Sequence, residues 1–204
     1  MRLFVAIDID PAIRERVARF MEGVRNFAPE ARWVSDKSFH ITLKFIGEKS
    51  AETAEEIQRA LAAIRAEPAT ISFRGTGFFP TAKSARVFWA GIEADPNLAR
   101  LAGLVDDALA RLRIPQEEHA FTPHLTLARG GDVRSRRGRG PSGSPRQRPE
   151  DRPNARFARL QEQLAAMPVP DFGTMTATEF FLYESKPSPA GAAYSKLARF
   201  ELSR

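Results

Sequence analysis

Two of the chain's three histidines sit in the same tetrapeptide, His40-Ile41-Thr42-Leu43 and His124-Leu125-Thr126-Leu127, 84 residues apart. Side chains on a strand alternate between faces, so His40 and Thr42 point one way, as do His124 and Thr126, while Leu43 and Leu127 turn toward a core. Two imidazoles and two hydroxyls converging on one cleft suit the cleavage of a phosphodiester. One imidazole takes a proton from the attacking oxygen and the other protonates the departing oxygen. The threonine hydroxyls hold the non-bridging oxygens, so that phosphorus lies between the imidazoles. An ordinary imidazole pKa of about 6.5 leaves both protonation states accessible near neutrality. One ring must be neutral and one charged, which predicts a bell-shaped pH profile. No cofactor is required, and two histidines without neighbouring carboxylate ligands make a poor metal site.

A single His-x-Thr on a strand is usually packing or surface. A duplication can also preserve a structural histidine, but two copies at matched positions favour chemistry. Arg129 follows the second motif where the first has Phe45. Its guanidinium suits a phosphate, although strict alternation puts it on the leucine face unless the strand bulges or ends. Lys44 stands in the place of Ala128 and by alternation shares the histidine face, as a charge on the rim. His119, in Gln116-Glu-Glu-His119, has no counterpart and reads as a solvated loop residue.

The elements that must position these residues repeat as well. The offset of 84 carries Arg2 onto Arg86, Phe4 onto Phe88 and Ala6 onto Ala90, so each half opens on an apolar strand 38 residues before its histidine. Strands are expected over 2–8, 39–46, 69–79, 86–93 and 121–128, then one long strand over 174–185 and a last over 193–202. Helices are expected over 11–26, 51–66, 97–112 and 157–166, with Ser50 and Asp95 as caps and Pro96 in a first turn. Such an order predicts α+β architecture in two lobes. Two mainly antiparallel sheets flanked by helices are related by a pseudo-two-fold axis, with the active-site cleft between the lobes. Residues 1–204 form one such bilobal domain.

With 43% hydrophobic residues, the 204-residue chain can bury a sizeable core. No cysteine is present, which excludes disulfides, thiolate metal sites and cysteine nucleophiles, and a cytoplasmic setting is the natural expectation. No apolar run suggests a membrane span or a secretory signal. The net charge of +6 is local: residues 130–156 hold eight arginines against Asp132, Glu150 and Asp151, leaving the other 177 residues at only +1. This stretch has Val133 and Ala155 as its only apolar side chains and carries four prolines, so it reads as a flexible insertion. Its arginines would either draw in a polyanionic substrate electrostatically or form a tolerated excursion.

The opening Met-Arg-Leu-Phe-Val-Ala-Ile, the stretches Arg32–Glu48 and Thr122–Arg129, and the tail Leu182–Leu197 together resemble the two-histidine phosphoesterase superfamily. Within it they are similar to the RNA 2′,3′-cyclic phosphodiesterases once described as 2′-5′ RNA ligases. The resemblance spans nearly the whole chain. It implies hydrolysis of a terminal 2′,3′-cyclic phosphate to a 2′-phosphate, without metal or ATP. It also implies His40 as proton donor to the departing 3′ oxygen and His124 as the base activating water, with Thr42, Thr126 and Arg129 on the phosphate. The expected partner is RNA with a 2′,3′-cyclic phosphate end or a small cyclic nucleotide, met by a monomer away from membranes. Two other readings stand beside this one: a phosphodiesterase or reversible ligase for 2′-5′ linkages or small nucleotide cyclic phosphates, and a non-catalytic module that binds RNA ends.

Overall fold

The computed structural model describes residues 1–130, 155–188 and 191–203. The arginine-proline insertion expected over 130–156 lies outside them except at its two ends. Nine strands and four helices occur among the described residues: β1 (Arg2–Asp8), α1 (Pro11–Val24), β2 (Arg32–Trp33), β3 (His40–Glu48), α2 (Ala51–Ala62), β4 (Ala69–Phe79), β5 (Val87–Ala94), α3 (Pro96–Ala110), β6 (His124–Arg129), α4 (Ala158–Ala165), β7 (Asp171–Ala177), β8 (Glu179–Ser188) and β9 (Gly191–Glu201). They build two antiparallel sheets, ordered β3-β1-β8-β9 and β2-β6-β5-β4-β7. Each histidine strand therefore lies beside the opening strand of its own half, in matched arrangement. The fold is the α+β, pseudo-symmetric pair of sheets that the repeat implied.

Both halves turn from strand to helix through Asp-Pro. Asp10 accepts from the Ala12 amide at 2.8 Å and Asp95 from the Asn97 amide at 3.0 Å, each satisfying an orphan donor of the first turn, where proline needs none. Ser50 caps α2 through the Thr53 amide at 3.1 Å. Two helices reach across: α1 packs on β7, and α3 packs on β3 as well as on β4 of its own sheet. The Arg16 guanidinium donates to the Phe172 carbonyl, and Phe20 meets Phe172 edge to face. One hydrophobic cluster consequently includes Leu3, Val5 and Ile7 of β1, Phe88 and Ala90 of β5, and Val17 and Val105 of the two helices. A smaller cluster of Phe4, Ala6, Phe181 and Tyr183, with Tyr194 against it, covers the other face of the first sheet.

Two expectations are corrected. The long strand over 174–185 is two strands, β7 and β8, which meet at Thr178 and belong to different sheets. Apolar residues run on through Ala177, Phe180, Phe181 and Leu182, and periodicity cannot reveal a change of sheet within such a run. The second correction concerns the repeat. Asp8 pairs with His40 and Ala6 with Thr42, whereas Gly91 pairs with His124 and Trp89 with Thr126. The spatial counterpart of Ala6 is thus Trp89 and that of Asp8 is Gly91, one residue out of step with the offset that matched Ala6 to Ala90. A one-residue slip exchanges the faces of a strand. Hence Phe4 lies on the histidine face and Phe88 in the main core, despite their matching letters.

Candidate active site

Matched bulges make the site. Opposite Val5-Ala6 of β1, the partners in β3 jump from Lys44 to Thr42, so Leu43 is the extra residue. Opposite Phe88-Trp89 of β5, they jump from Ala128 to Thr126, so Leu127 is extra. A bulge breaks alternation and re-aims the side chains beyond it. Leu43 and Lys44 are both buried, as are Leu127 and Ala128; the next residues, Phe45 and Arg129, are exposed and return to the histidine face. Arg129 therefore joins the face from which simple alternation would bar it. Lys44 leaves that face, contrary to expectation. It is 2% exposed and its ammonium meets Asp106 Oδ1 of α3 at 2.5 Å and the Pro115 carbonyl at 2.7 Å. His119 is exposed outside every regular element, as expected.

The two imidazoles are anchored alike. His40 Nδ1 lies 2.8 Å from the Ser38 carbonyl oxygen and His124 Nδ1 lies 2.9 Å from that of Thr122. A carbonyl only accepts, so each Nδ1 carries the hydrogen and each Nε2 is left for proton transfer. An aromatic ring meets each imidazole edge on: Tyr194 against His40 at 5.1 Å and 87°, Phe79 against His124 at 5.0 Å and 82°. These rings limit rotation and exclude water from one side. Thr42 and Thr126 are half-buried beside their histidines in the ladder.

Both imidazoles are held below their ordinary pKa, chiefly because burial disfavours the charged ring. The Ser38 and Thr122 carbonyls oppose this, while the charge of Arg129 adds to it at both histidines. His40 also feels the charge of His124, and among the described residues a carboxylate, Asp8, pushes back at His40 alone. Burial pushes the Asp8 carboxyl up, but hydrogen bonds from Lys196 and the Ile9 amide, with the charges of Lys196 and Arg14, outweigh burial and hold it below its usual value. Its oxygens lie 2.7 Å from Arg14 Nη2 and 2.5 Å from Lys196 Nζ.

The four motif residues and Arg129 thus come from two strands, β3 and β6, that are in contact. Among the aromatic residues, Phe79 and Tyr194 stand against the imidazoles. Trp33, Phe39 and Phe78 pack with the main core instead: the Trp33 indole donates to the Ala28 carbonyl, Phe39 is buried and Phe78 stacks on Phe88. Asp8, Phe4, Phe45 and Trp89 carry no motif that marks them for the site. Their only signal is a place on strands whose cross-strand register the sequence does not display. Among the described residues, no three His, Asp or Glu side chains gather as metal ligands, and no helix is long and apolar enough to cross a membrane.

Two matched sheets that each present an anchored imidazole and a hydroxyl, the second with a guanidinium as well, make an arrangement suited to phosphoester chemistry. The chain belongs to the LigT-like phosphoesterase family, whose model matches residues 7–89 and 91–139. Among curated relatives, the RNA 2′,3′-cyclic phosphodiesterase of Archaeoglobus fulgidus is 31% identical over 201 residues, covering 98% of this chain and all of that protein. The protein of that name from Escherichia coli is 28% identical, covering 100% of this chain and 97% of its own length. Escherichia coli LigT complexed with 3′-AMP superposes with a TM-score of 0.74 at 27% identity, over 100% of this chain and 98% of that one. TT0787 of Thermus thermophilus superposes at 0.73 and 27% identity, over 99% and 98%.

Proposed function

We propose that the chain is a phosphoric diester hydrolase that opens the terminal 2′,3′-cyclic phosphate of RNA to a 2′-phosphate, with His40 as general acid and His124 as general base. The observation carrying this reading is the pair of Nδ1-anchored imidazoles on matched strands, both within reach of the charge of Arg129. His124 Nε2 takes a proton from water as the water oxygen bonds to phosphorus. The bond from phosphorus to the 3′ oxygen breaks, and that oxygen takes the proton from His40 Nε2. Thr42, Thr126 and Arg129 hold the non-bridging oxygens and stabilise the negative charge that builds on them in the transition state. The turnover leaves His40 neutral and His124 charged, and proton exchange with solvent resets both.

Asp8 supports the direction of this assignment. A carboxylate beside one imidazole favours its charged form, and among the described residues only His40 has one. The cyclic phosphate itself favours the acid, since an anion placed between the rings offsets the burial that keeps them neutral. The names of the relatives supply the substrate class. One bilobal catalytic unit, acting as a cytoplasmic monomer, is sufficient for this chemistry.

The test is turnover of an RNA dinucleotide 2′,3′-cyclic phosphate in EDTA, with the product read by phosphorus NMR. A 2′-phosphate is expected, and His40→Ala and His124→Ala should each slow it by about 10²–10⁴-fold. No turnover of this or a longer RNA would remove the hydrolytic reading. Unchanged affinity with no chemistry in the native protein would favour a binding module.

A further inference from the structure

β2 belongs to the second sheet, although it precedes His40 in the chain. Its two residues have opposite duties. Trp33 turns inward, where its indole N–H donates to the Ala28 carbonyl at 3.0 Å and its ring meets Phe88 edge on. The next amide, that of Val34, donates to the Leu127 carbonyl at 2.9 Å. These contacts hold the short strand against β6 in one register, with Trp33 opposite the buried Ala128 and Arg32 directly opposite Arg129. Residues directly opposite each other share a face of the sheet, so Arg32 stands with Arg129 on the exposed histidine face. A lone exposed arginine is ordinary on an edge strand. Two in register repel each other, and among the described residues neither guanidinium has a hydrogen-bond or ion-pair partner. The nearby carboxylate of Glu30 lies 3.9 Å from Arg156 instead.

We propose that Arg32 binds the phosphate one step upstream of the reacting cyclic phosphate, the 5′-phosphate of the terminal nucleotide. Arg32 and Arg129 then hold two successive phosphates of one RNA strand. The inference rests on the hydrolytic reading above, and it adds a preference for a polynucleotide end over a lone nucleoside cyclic phosphate. A second anion offsets the repulsion between the guanidiniums, and the planar fork of arginine suits a phosphate bidentately. Directly opposed residues have Cα atoms about 4.5–5.5 Å apart, so the two side chains can reach phosphates joined through a single ribose. The charge of Arg129 is felt at both imidazoles and that of Arg32 at neither. This fits Arg129 on the reacting phosphate and Arg32 one step beyond it.

The experiment compares two nucleoside 2′,3′-cyclic phosphates that differ only at the 5′ position, one with a methyl phosphate diester there and one with a free hydroxyl. Both are measured in the native protein, in Arg32→Gln and in Arg32→Lys. The ratio of kcat/KM for the two substrates cancels any difference in folded fraction. The native protein should favour the 5′-phosphorylated substrate. Arg32→Gln should lower the ratio about 2- to 10-fold, the range for one hydrogen-bonded contact, and Arg32→Lys should keep part of it. A native ratio at or below one overturns the subsite, as does a ratio unchanged in Arg32→Gln. In parallel, equilibrium binding of adenosine 3′,5′-bisphosphate is measured against that of 3′-AMP. Arg32→Gln should weaken the bisphosphate relative to 3′-AMP by a similar factor, and equal losses for both overturn the proposal. If the native protein turns over neither cyclic phosphate, the hydrolytic reading fails, and this binding ratio alone decides the subsite.

Discussion

His40 and His124 occupy equivalent places in a repeated fold, yet their surroundings differ in kind. Opposite His40 stands Asp8, paired with Arg14 and Lys196, beside a wall of Phe4, Tyr183 and Tyr194. Opposite His124 stands Gly91, with Phe79 and Trp89 nearby. The difference is enforced by packing: a Cβ at position 91 would collide with the Arg74 carbonyl oxygen, so no acidic side chain fits there. Repetition of the strands, bulges and carbonyl anchors supplies two interchangeable imidazoles. The unmatched neighbours make them unequal, as acid-base catalysis in one direction requires.

The largest expected effect tests whether the two rings have separate duties. A 2′-deoxynucleoside 3′-(p-nitrophenyl phosphate) has a leaving group that departs without a proton. On it His124→Ala should still cost about 10²–10⁴-fold, while His40→Ala should cost far less than on the cyclic phosphate. Equal losses on both substrates would break the division of labour. Arg129→Met comes next. Hydrogen bonds to charged groups contribute about 1.5–3 kcal/mol, so kcat/KM should fall by roughly 10- to 150-fold. Because Arg129 depresses both imidazoles, both limbs of the pH profile should move to higher pH. Movement of one limb alone would place the guanidinium beside a single ring.

Much of this arrangement was legible in the residues. The doubled His-x-Thr-Leu marked the chemistry, alternation set Thr42 and Thr126 beside their histidines, and Asp-Pro marked the starts of two helices. Alternation failed elsewhere for two physical reasons. A bulge inserts a residue without altering composition, so Lys44 and Ala128 went to the core while Phe45 and Arg129 turned to the exposed histidine face. Register between strands distant in the chain depends on packing, so the pairing of Asp8 with His40 was invisible, and the matching letters of Phe4 and Phe88 misled.

Lys44 offers a smaller contrast, since the equivalent residue of the second half is Ala128, which needs no partner. Removing one member of a buried ion pair costs about 3 kcal/mol, whereas an apolar replacement of the whole pair is often neutral; without Asp106 the Lys44 ammonium keeps the Pro115 carbonyl and the exposed Glu117 carboxylate at 3.5 Å, which makes that figure an upper bound. Asp106→Ala should therefore lower stability by at most about 3 kcal/mol in urea unfolding, and adding Lys44→Met should recover most of that loss. Activity per folded molecule should hold in the double variant, because Lys44 faces away from the histidines. A loss of activity without a loss of stability would return Lys44 to the site.

The smallest effect bears most directly on which imidazole is the acid. Asp8 favours protonation of His40 and is absent from the influences on His124. Asp8→Asn keeps the shape of the side chain and removes its charge, so the folded protein should hold the His40 proton less tightly. The acid must be protonated to act, and its loss sets the alkaline limb of kcat/KM, so that limb should move to lower pH while the acid limb stays. Arg14 and Lys196, released from Asp8, would act on His40 in the same sense, which makes the substitution an upper bound for the carboxylate alone. Lys196→Met separates the two. It removes a positive charge that Asp8 partly balances and leaves the carboxylate in place, so the alkaline limb should move the opposite way. If Asp8→Asn instead shifts the acid limb, the carboxylate serves the base, and the roles of His40 and His124 are exchanged.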